Sequence, residues 1–257
     1  LSIRRQRQMC IRDSNYIQGV GIGTITDSLS AIKYHVFDQK NINMEKLKEG
    51  LKNNFIDHED IRQLFLNKTP RYGNDDDYAD DIMKLVFNLF YQEVNGRKNT
   101  KGGFYRINML PTTCHIYFGS VIGATPDGRR EKQPLSEGIS PVQGIDRLGP
   151  TAVIKSASKM EQSKTGGTLL NQKFTPQLLA GEKGLDSLTH LIRAYFKLGG
   201  HHIQFNVVSA NTLRAAQKEP EKYRNLIVRV AGYSDYFNNL NKDLQDEIIS
   251  RTEHQFT

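Results

Sequence analysis

The stretch that decides the fold lies near the end of the chain, at Arg229-Val230-Ala231-Gly232-Tyr233-Ser234-Asp235-Tyr236-Phe237, where an apolar run meets a single glycine and a short polar turn. Such a glycine ordinarily supplies a positive φ or a close backbone approach that a Cβ would block. Gly232 also admits a chemical interpretation, because a glycine α-carbon can lose a hydrogen atom and become planar without a side chain clashing. An isolated glycine after a strand usually marks a turn or bulge, so the neighbouring sequence has to decide between the two.

Those neighbouring residues resemble the C-terminal signature of the glycyl radical enzymes. The signature comprises residues 229–234, then Phe237 and Asn238, then a last helix through residues 246–252. The resemblance continues upstream through Ser136-Glu137-Gly138-Ile139-Ser140-Pro141, Gly149-Pro150-Thr151-Ala152-Val153, Gly166-Gly167-Thr168-Leu169-Leu170-Asn171 and Gly200-His201-His202-Ile203-Gln204-Phe205-Asn206. It covers nearly everything from Asn15 to the end. Residues 16–24, 72–80 and 109–119 resemble the hydroxyproline dehydratase branch of the family.

This resemblance implies an α/β fold. The family fold is a ten-stranded α/β barrel made of two five-stranded parallel halves, and the chain is expected to form the C-terminal half with a glycine radical loop. Residues 15–135 are then the C-terminal part of the barrel domain, and residues 136–257 are the glycine radical domain.

The resemblance also implies a function for the parent protein, the radical elimination of water from trans-4-hydroxy-L-proline. Gly232 would store the radical, installed by a radical S-adenosylmethionine activating enzyme in an anaerobic, oxygen-sensitive reaction with no bound cofactor or metal. The family's catalytic cysteine and glutamate lie on a loop that is not found in this sequence, so we expect the 257 residues alone to be inactive. A homodimer is the candidate assembly of the full-length protein.

Other functions stay open at this stage. The parent could be another glycyl radical lyase, such as a choline trimethylamine-lyase, a glycerol dehydratase or a formate C-acetyltransferase. The chain could also be a non-catalytic radical-carrier subunit, although the family's carriers are shorter and residues 15–110 would then be superfluous. A nucleic-acid-binding module is the third class, and it depends on the basic N-terminus.

Composition favours an ordinary globular protein without a membrane segment. The chain is 37% hydrophobic and 25% charged, and its mean hydropathy is −0.56. No apolar run approaches the roughly 20 residues of a membrane span. Two cysteines without a pairing pattern favour a reducing compartment, so the location expected is cytoplasmic.

The net charge of +7 is partly local, because residues 1–14 hold four arginines and one aspartate. We interpret this segment as foreign to the fold and disordered. The rest of the chain shows no basic stretch interleaved with aromatic residues, so nucleic acid is not an expected partner.

Strand and helix signals alternate along the chain, which is typical of the α/β class. Residues 19–25 are expected to form a strand or loop, and Thr26-Asp27-Ser28 to cap a helix that carries Leu29, Ile32, Val36 and Phe37. Further helices are predicted at residues 44–54, 75–94, 185–198, 212–218 and 242–252. The helix at 75–94 should bury Ile82, Leu85, Val86, Leu89 and Phe90. Strands are predicted at residues 115–118, 167–170, 203–208 and 226–230.

A stored carbon radical survives only where oxygen and water are excluded. We therefore expect Gly232 inside a packed barrel, beside the apolar residues Ile227, Val228 and Val230. Because an activating enzyme must first reach the glycine, the segment from Val230 to the C-terminus should move as a unit.

Five further groups could carry chemistry. Thr112 and Thr113 could face substrate, or could be turn hydroxyls bonded to their own backbone. Cys114 is expected to be a buried small hydrophobe on a strand rather than a catalytic thiol. For His201-His202 with Gln204 and Asn206, hydrogen bonding near the glycine loop is favoured over metal binding. Ser136-Glu137-Gly138 could supply a carboxylate near the site, or this carboxylate could belong to a buried ion pair. Asp75-Asp76-Asp77 is interpreted as a helix start rather than a calcium loop.

Overall fold

The computed structural model describes residues 14–254, which form a mixed α/β fold as predicted. The segment 1–14 that the sequence marks as foreign lies outside the described residues except for Ser14, the first residue of strand β1. Among residues 14–254, no helix combines the length and the apolar character that crossing a membrane requires.

Helices and strands are interspersed along the described residues. The α-helices are α1 Ile22–Ala31, which continues into a π-helical stretch Ile32–Asp38, α2 Met44–Lys52, α3 Glu59–Lys68, α4 Asp77–Val94, α5 Cys114–Val121, α6 Gly149–Ser158, α7 Gly181–Lys197, α8 Ala210–Lys218 and α9 Lys242–Ser250. The strands are β1 Ser14–Gln18, β2 Phe104–Asn108, β3 Leu170–Phe174, β4 Ile203–Val207, β5 Ile227–Arg229, β6 Ser234–Tyr236 and β7 Glu253–His254.

Parallel pairing dominates the sheets. β1 pairs with β2 from Ser14↔Phe104, and β3 pairs with β4 from Leu170↔Ile203, both in parallel register. A parallel bridge between Met109 and Thr168 connects the two pairs, and the short β7 adds to the other edge of β3. β5 and β6 are different, because they form a separate antiparallel hairpin.

Three apolar clusters support these elements. The first lies between α4, α6, α7 and the parallel strands, and the third lies under α1 to α3. The second cluster supports the antiparallel hairpin with α8 and α9, and its members are Leu169, Val208, Leu213, Ala216, Val228, Val230, Ala231, Phe237, Leu240, Leu244 and Ile248. The hairpin therefore has a core of its own.

The start of α1 differs from the prediction. The helix begins at Ile22, directly after Gly21 with a φ of +80°, so residues 26–28 lie inside it and do not cap it. The Asp27 carboxylate instead accepts hydrogen bonds from the Tyr72 amide at 2.9 Å and from Arg71 Nη1 at 3.1 Å. Asp27, which the sequence predicts to be part of a helix cap, therefore makes a buried long-range contact instead.

The predicted strand at residues 115–118 was also wrong, because these residues belong to α5. A short apolar run does not distinguish a strand from a helix by periodicity alone. His115 and Gly119, one helical turn apart, are buried, whereas Tyr117 is exposed. Cys114 begins this helix and is exposed, so the expectation of a buried cysteine on a strand was wrong as well.

Helix α4 ends at Val94 as the sequence predicts and begins at Asp77, two residues after the predicted start, but it buries a different face. The Asp76 side chain caps it by accepting from the Tyr78 amide at 3.0 Å, which confirms the triple aspartate as a helix start. The buried row contains Ala79, Met83 and Phe87, whereas Leu85 and Leu89, both predicted to be buried, are more than half exposed.

Candidate functional site

Gly232 occupies a tight turn between β5 and β6. Arg229 pairs with Ser234, and the Val230 amide donates to the Tyr233 carbonyl at 2.9 Å. Gly232 is the third residue of this turn and has a φ of +78°, the value that a type II turn requires there. A Cβ at Gly232 would have no heavy atom within 4 Å. The backbone conformation, rather than a shortage of space, therefore selects glycine.

The turn lies at the surface of the described residues. Val228 and Val230 are buried as predicted, but Ile227 is 57% exposed and Gly232 is exposed as well. Successive strand residues point to opposite faces, so only Val228 and Val230 face the second apolar cluster. The expectation of a glycine enclosed on all sides does not hold within residues 14–254, because they cover only one face of the hairpin.

The side-chain amide of Gln204, on β4, connects both ends of the turn to the parallel sheet. Its Oε1 accepts from the Gly232 amide at 3.0 Å and from Arg229 Nε at 3.1 Å. Its Nε2 donates to the Val230 carbonyl at 3.2 Å and to Asn171 Oδ1. Gln204 is buried, so the exposed Gly232 is hydrogen-bonded to a buried side chain.

Asn206, two residues further along β4, binds the hairpin in a similar way. Its Nδ2 donates to the Arg229 carbonyl at 2.7 Å, and its Oδ1 accepts from the Arg229 amide at 2.8 Å. The structural hydrogen bonding predicted near the glycine loop is observed for Gln204 and Asn206. His201 and His202 precede β4, and residues 14–254 hold no group of three or more side chains suited to a metal ion.

A buried ion pair lies behind the turn. Arg251 Nη1 donates to the Val230 carbonyl at 3.2 Å, and its Nε and Nη2 contact the Glu247 carboxylate at 2.8 to 3.2 Å. His115 Nε2 lies 3.5 Å from Glu247 Oε1, and Gln143 Nε2 donates to that oxygen at 3.1 Å. Burial acts to raise the pKa of Glu247, but the charges and hydrogen bonds of Arg251 and His115 together outweigh burial and hold it well below its usual range.

Glu137 is a second buried carboxylate near the turn. It accepts from Ser140 Oγ at 2.7 Å and from Asn171 Nδ2 at 2.5 Å, and Asn171 in turn contacts Gln204. Burial raises the pKa of Glu137 above its ordinary value, although Arg251 opposes the shift. Glu137 Oε2 has no hydrogen-bond partner among residues 14–254, so no hydrogen bond to this oxygen offsets the effect of burial. Of the two alternatives for this carboxylate, the structure supports a position near the site.

Thr112 and Thr113 lie in the turn between β2 and α5. Thr112 is exposed with a φ of +54°, and Thr113 precedes the helix without capping it through its side chain. In the described part of the chain, no hydrogen bond joins either hydroxyl to the Gly232 turn. The two threonines lie directly before α5, whose His115 faces Glu247.

Comparison with known proteins decides the family. Residues 3–119 match the family model described as pyruvate formate lyase-like, and residues 135–238 match the model described as glycine radical. The chain belongs to the glycyl radical enzymes. The resemblance predicted from the Gly232 signature is thereby confirmed, and the chain corresponds to a C-terminal portion of such an enzyme.

Individual glycyl radical enzymes match over nearly the whole chain. The trans-4-hydroxy-L-proline dehydratase of Clostridioides difficile is 62% identical over 95% of this chain, and its crystal structure with substrate bound superimposes with a TM-score of 0.92. The isethionate sulfite-lyase of Desulfovibrio desulfuricans is 44% identical over 93%. The glycerol-bound B12-independent glycerol dehydratase of Clostridium butyricum is 47% identical over 95%, with a TM-score of 0.91. The chain spans only 29 to 31% of the length of these proteins.

Sequence reasoning missed the buried ions of this glycyl radical enzyme. Glu247 and Arg251 are four residues apart on a helix, a spacing typical of solvent-exposed pairs, so nothing marked them as buried. His115 was missed because its segment was taken for a strand. The apolar residues Leu244 and Ile248, which share the buried side of α9, are the signal that could have identified the inward face.

Proposed function

We propose that the chain is the C-terminal part of a trans-4-hydroxy-L-proline dehydratase and that Gly232 stores its radical. The observation that carries this proposal is the Gly232 turn: a glycine selected by its backbone conformation, in a hairpin with its own core, inside the segment that matches the glycine radical model. The identity of 62% to a hydroxyproline dehydratase supports the substrate.

The remainder of the parent would complete the fold. We infer a ten-stranded barrel in which residues 15–135 complete the barrel domain and residues 136–257 form the glycine radical domain. Five strands of the described chain run parallel, and the exposed face of the hairpin offers apolar residues such as Ile227 and Tyr233 for a covering layer. This covering layer would exclude water and oxygen from Gly232.

A radical S-adenosylmethionine enzyme would remove one hydrogen atom from the Gly232 α-carbon. Its access requires release of the hairpin, and the separate apolar cluster under β5, β6, α8 and α9 supports movement as a unit. The C-terminal strand β7 pairs with β3, and the Lys173 ammonium donates to the Ile249 carbonyl at 2.9 Å. Release from Val230 onward would have to break both contacts.

The chemistry on substrate would belong to other parts of the parent. We assign the thiol relay and the acid–base carboxylate to a cysteine and a glutamate outside these 257 residues, because Cys114 is exposed at the start of α5. Thr112 and Thr113 follow the carboxyl end of the parallel strand β2, where such sheets commonly bind ligands, and this position supports a role in substrate binding. We predict that the full-length parent is a homodimer located in the cytoplasm.

The proposal is tested with the full-length parent, activated anaerobically and supplied with trans-4-hydroxy-L-proline. We expect loss of the substrate hydroxyl group as water, at a rate that falls to background in Gly232→Ala. Isethionate and glycerol are the competing substrates, chosen because relatives that bear their names share 44% and 47% identity with the chain. Preferential turnover of either would replace the dehydratase assignment by another lyase of the family.

The isolated chain provides a second test. With the relay cysteine elsewhere, the 257-residue protein should not turn over hydroxyproline even after treatment with the activating enzyme. Turnover by this chain would contradict the assignment of the relay, and loss of that turnover in Cys114→Ala would identify Cys114 as the thiol.

A further inference from the structure

We propose that Gln204 is a positioning residue for Gly232 and that Gln204 and Asn206 together form an amide clamp, a set of side-chain hydrogen bonds that holds the glycine hairpin on the parallel sheet in a releasable form. The inference rests on the proposed function, because it takes Gly232 as the radical site. It adds the residues that hold this glycine in place and control its release.

The clamp replaces an ordinary strand pairing. Within residues 14–254, β4 pairs through its backbone with β3, and β5 pairs with β6, but no backbone ladder joins β4 to β5. Gln204 and Asn206 are two residues apart and therefore lie on one face of β4. They supply a donor and an acceptor each: Asn206 to the backbone of Arg229, and Gln204 to the backbone of Val230 and Gly232.

The primary amide of Gln204 supplies both an acceptor and a donor, as its two contacts require. The Gly232 amide requires an acceptor and the Val230 carbonyl requires a donor, 3.0 and 3.2 Å away. An ionised glutamate offers only acceptors, and lysine or arginine offers only donors. The orientation of the amide is fixed by Arg229, which donates to Oε1, and by Asn171, which accepts from Nε2. Asn171 is itself fixed because its Nδ2 donates to Glu137.

The bond to Gly232 acts on the peptide group next to the radical carbon. Spin on a glycine α-carbon is shared with the two flanking peptide groups. The hydrogen bond from the Gly232 N–H to Gln204 Oε1 fixes the orientation of one of these two peptide planes. Loss of this acceptor would free the peptide to rotate while leaving both backbone ladders intact. The glycine should then leave the sheet more easily, which should speed hydrogen removal by the activating enzyme and shorten the lifetime of the radical.

Two variants separate the functions of the Gln204 amide, and one variant serves as the control. Gln204→Leu removes donor and acceptor, whereas Gln204→Glu keeps an acceptor for the Gly232 amide and loses the donor to Val230. Gln172→Leu removes a buried glutamine on the adjacent strand β3, whose Nε2 donates to the Pro150 carbonyl at 3.2 Å; within residues 14–254 no side-chain hydrogen bond joins it to the hairpin. A general effect of losing a buried amide would appear in this control as well.

The first measurement is hydrogen exchange of the Gly232 amide in the full-length protein before activation, which does not depend on radical chemistry. We expect exchange to be at least tenfold faster in Gln204→Leu than in the wild type, and close to wild type in Gln204→Glu and Gln172→Leu. If Gln204→Leu does not fold, the exchange rates of the Gly232 amide in the wild type and in Gln204→Glu still test the clamp. A Gly232 amide in the wild type that exchanges at the rate of an unstructured peptide would overturn the clamp.

The second measurement is electron paramagnetic resonance during anaerobic activation. We expect Gln204→Leu to gain radical at least twofold faster than the wild type and to lose it at least fivefold faster afterwards, with the control unchanged. Equal rates in Gln204→Leu and the wild type would contradict the positioning function. A wild type that shows no radical on Gly232 would contradict the proposed function alone, because the exchange result would still report on the clamp.

Discussion

Two arginine–carboxylate pairs are buried in the described part of this molecule, and their carboxylates differ in the direction of the pKa shift. Asp27 and Arg71 lie between α1 and the segment after α3, and burial raises the pKa of Asp27 to about 7 even though Arg71 opposes the shift. Glu247 and Arg251 lie behind the glycine hairpin, and there Arg251 and His115 together hold the pKa of Glu247 well below its usual range against burial.

The difference follows from how many donors each carboxylate receives. Asp27 accepts one bond from Arg71 and one from the Tyr72 amide, and the nearby Asp127 adds a repulsive charge. Glu247 accepts three contacts from its arginine and a further one from Gln143, with His115 beside it. A buried carboxylate stays charged where donors surround it and favours a proton where they are few. The ions behind the hairpin are therefore the more strongly bound pair.

The largest expected effect comes from removing the arginine of that pair. Arg251→Met leaves Glu247 buried without its partner, so we expect the free energy of unfolding to fall by about 3 to 5 kcal/mol. Urea denaturation of the variant and the wild type measures this loss.

Arg97→Met is the matched control, because Arg97 pairs with Glu93 at the same spacing of four residues but in solvent. Its loss should cost less than about 1 kcal/mol. Equal losses in the two variants would contradict the view that burial makes the Arg251 pair important. Adding Glu247→Gln to Arg251→Met should recover part of the stability, since the unpaired charge is then removed.

The two carboxylates should also give opposite pH dependences. The folded protein binds the Asp27 proton more tightly than the unfolded chain, so this contribution to stability is full below about pH 4 and is lost as the pH rises through about 7. Glu247 has a lowered pKa, so its contribution is full above about pH 4.5 and is lost as the pH falls through its folded value.

Asp27→Asn isolates the first of these dependences. Between pH 4 and 7, the stability of the wild type relative to this variant should fall by up to about 1.4 kcal/mol per pH unit, the limit for one proton. Denaturation midpoints across that range provide the measurement. A difference between the two proteins that does not change with pH would show that Asp27 stays ionised in the folded state, as Glu247 does.

A smaller effect is expected at the glycine itself. Gly232→Ala meets open space, so the only cost is the positive φ, about 1 to 2 kcal/mol. Thermal unfolding of the variant measures it, and the variant should stay folded. A loss above about 3 kcal/mol would mean that a side chain at this position meets neighbours that the described residues do not include.

The sequence predicted those parts of the molecule that local signals determine. The strands at residues 203–208 and 226–230 and the helix at 242–252 were predicted from local sequence, and the structure contains all three. The strand prediction at 115–118 failed because a short, largely apolar run fits either a helix or a strand. The amide contacts of Gln204 and the burial of Arg251 arise from distant segments brought together, which periodicity in one segment does not encode.

The central claim is that Gly232 carries the radical, and the most direct measurement is to locate where oxygen cuts the activated protein. A carbon radical reacts with dioxygen to form a peroxyl that fragments the backbone beside the α-carbon. After anaerobic activation and exposure to air, mass spectrometry should find a C-terminal piece that begins near Tyr233. Gly232→Ala should give neither the paramagnetic signal nor the cut. A radical signal that persists in Gly232→Ala, or a cut at another glycine such as Gly200, would contradict the account.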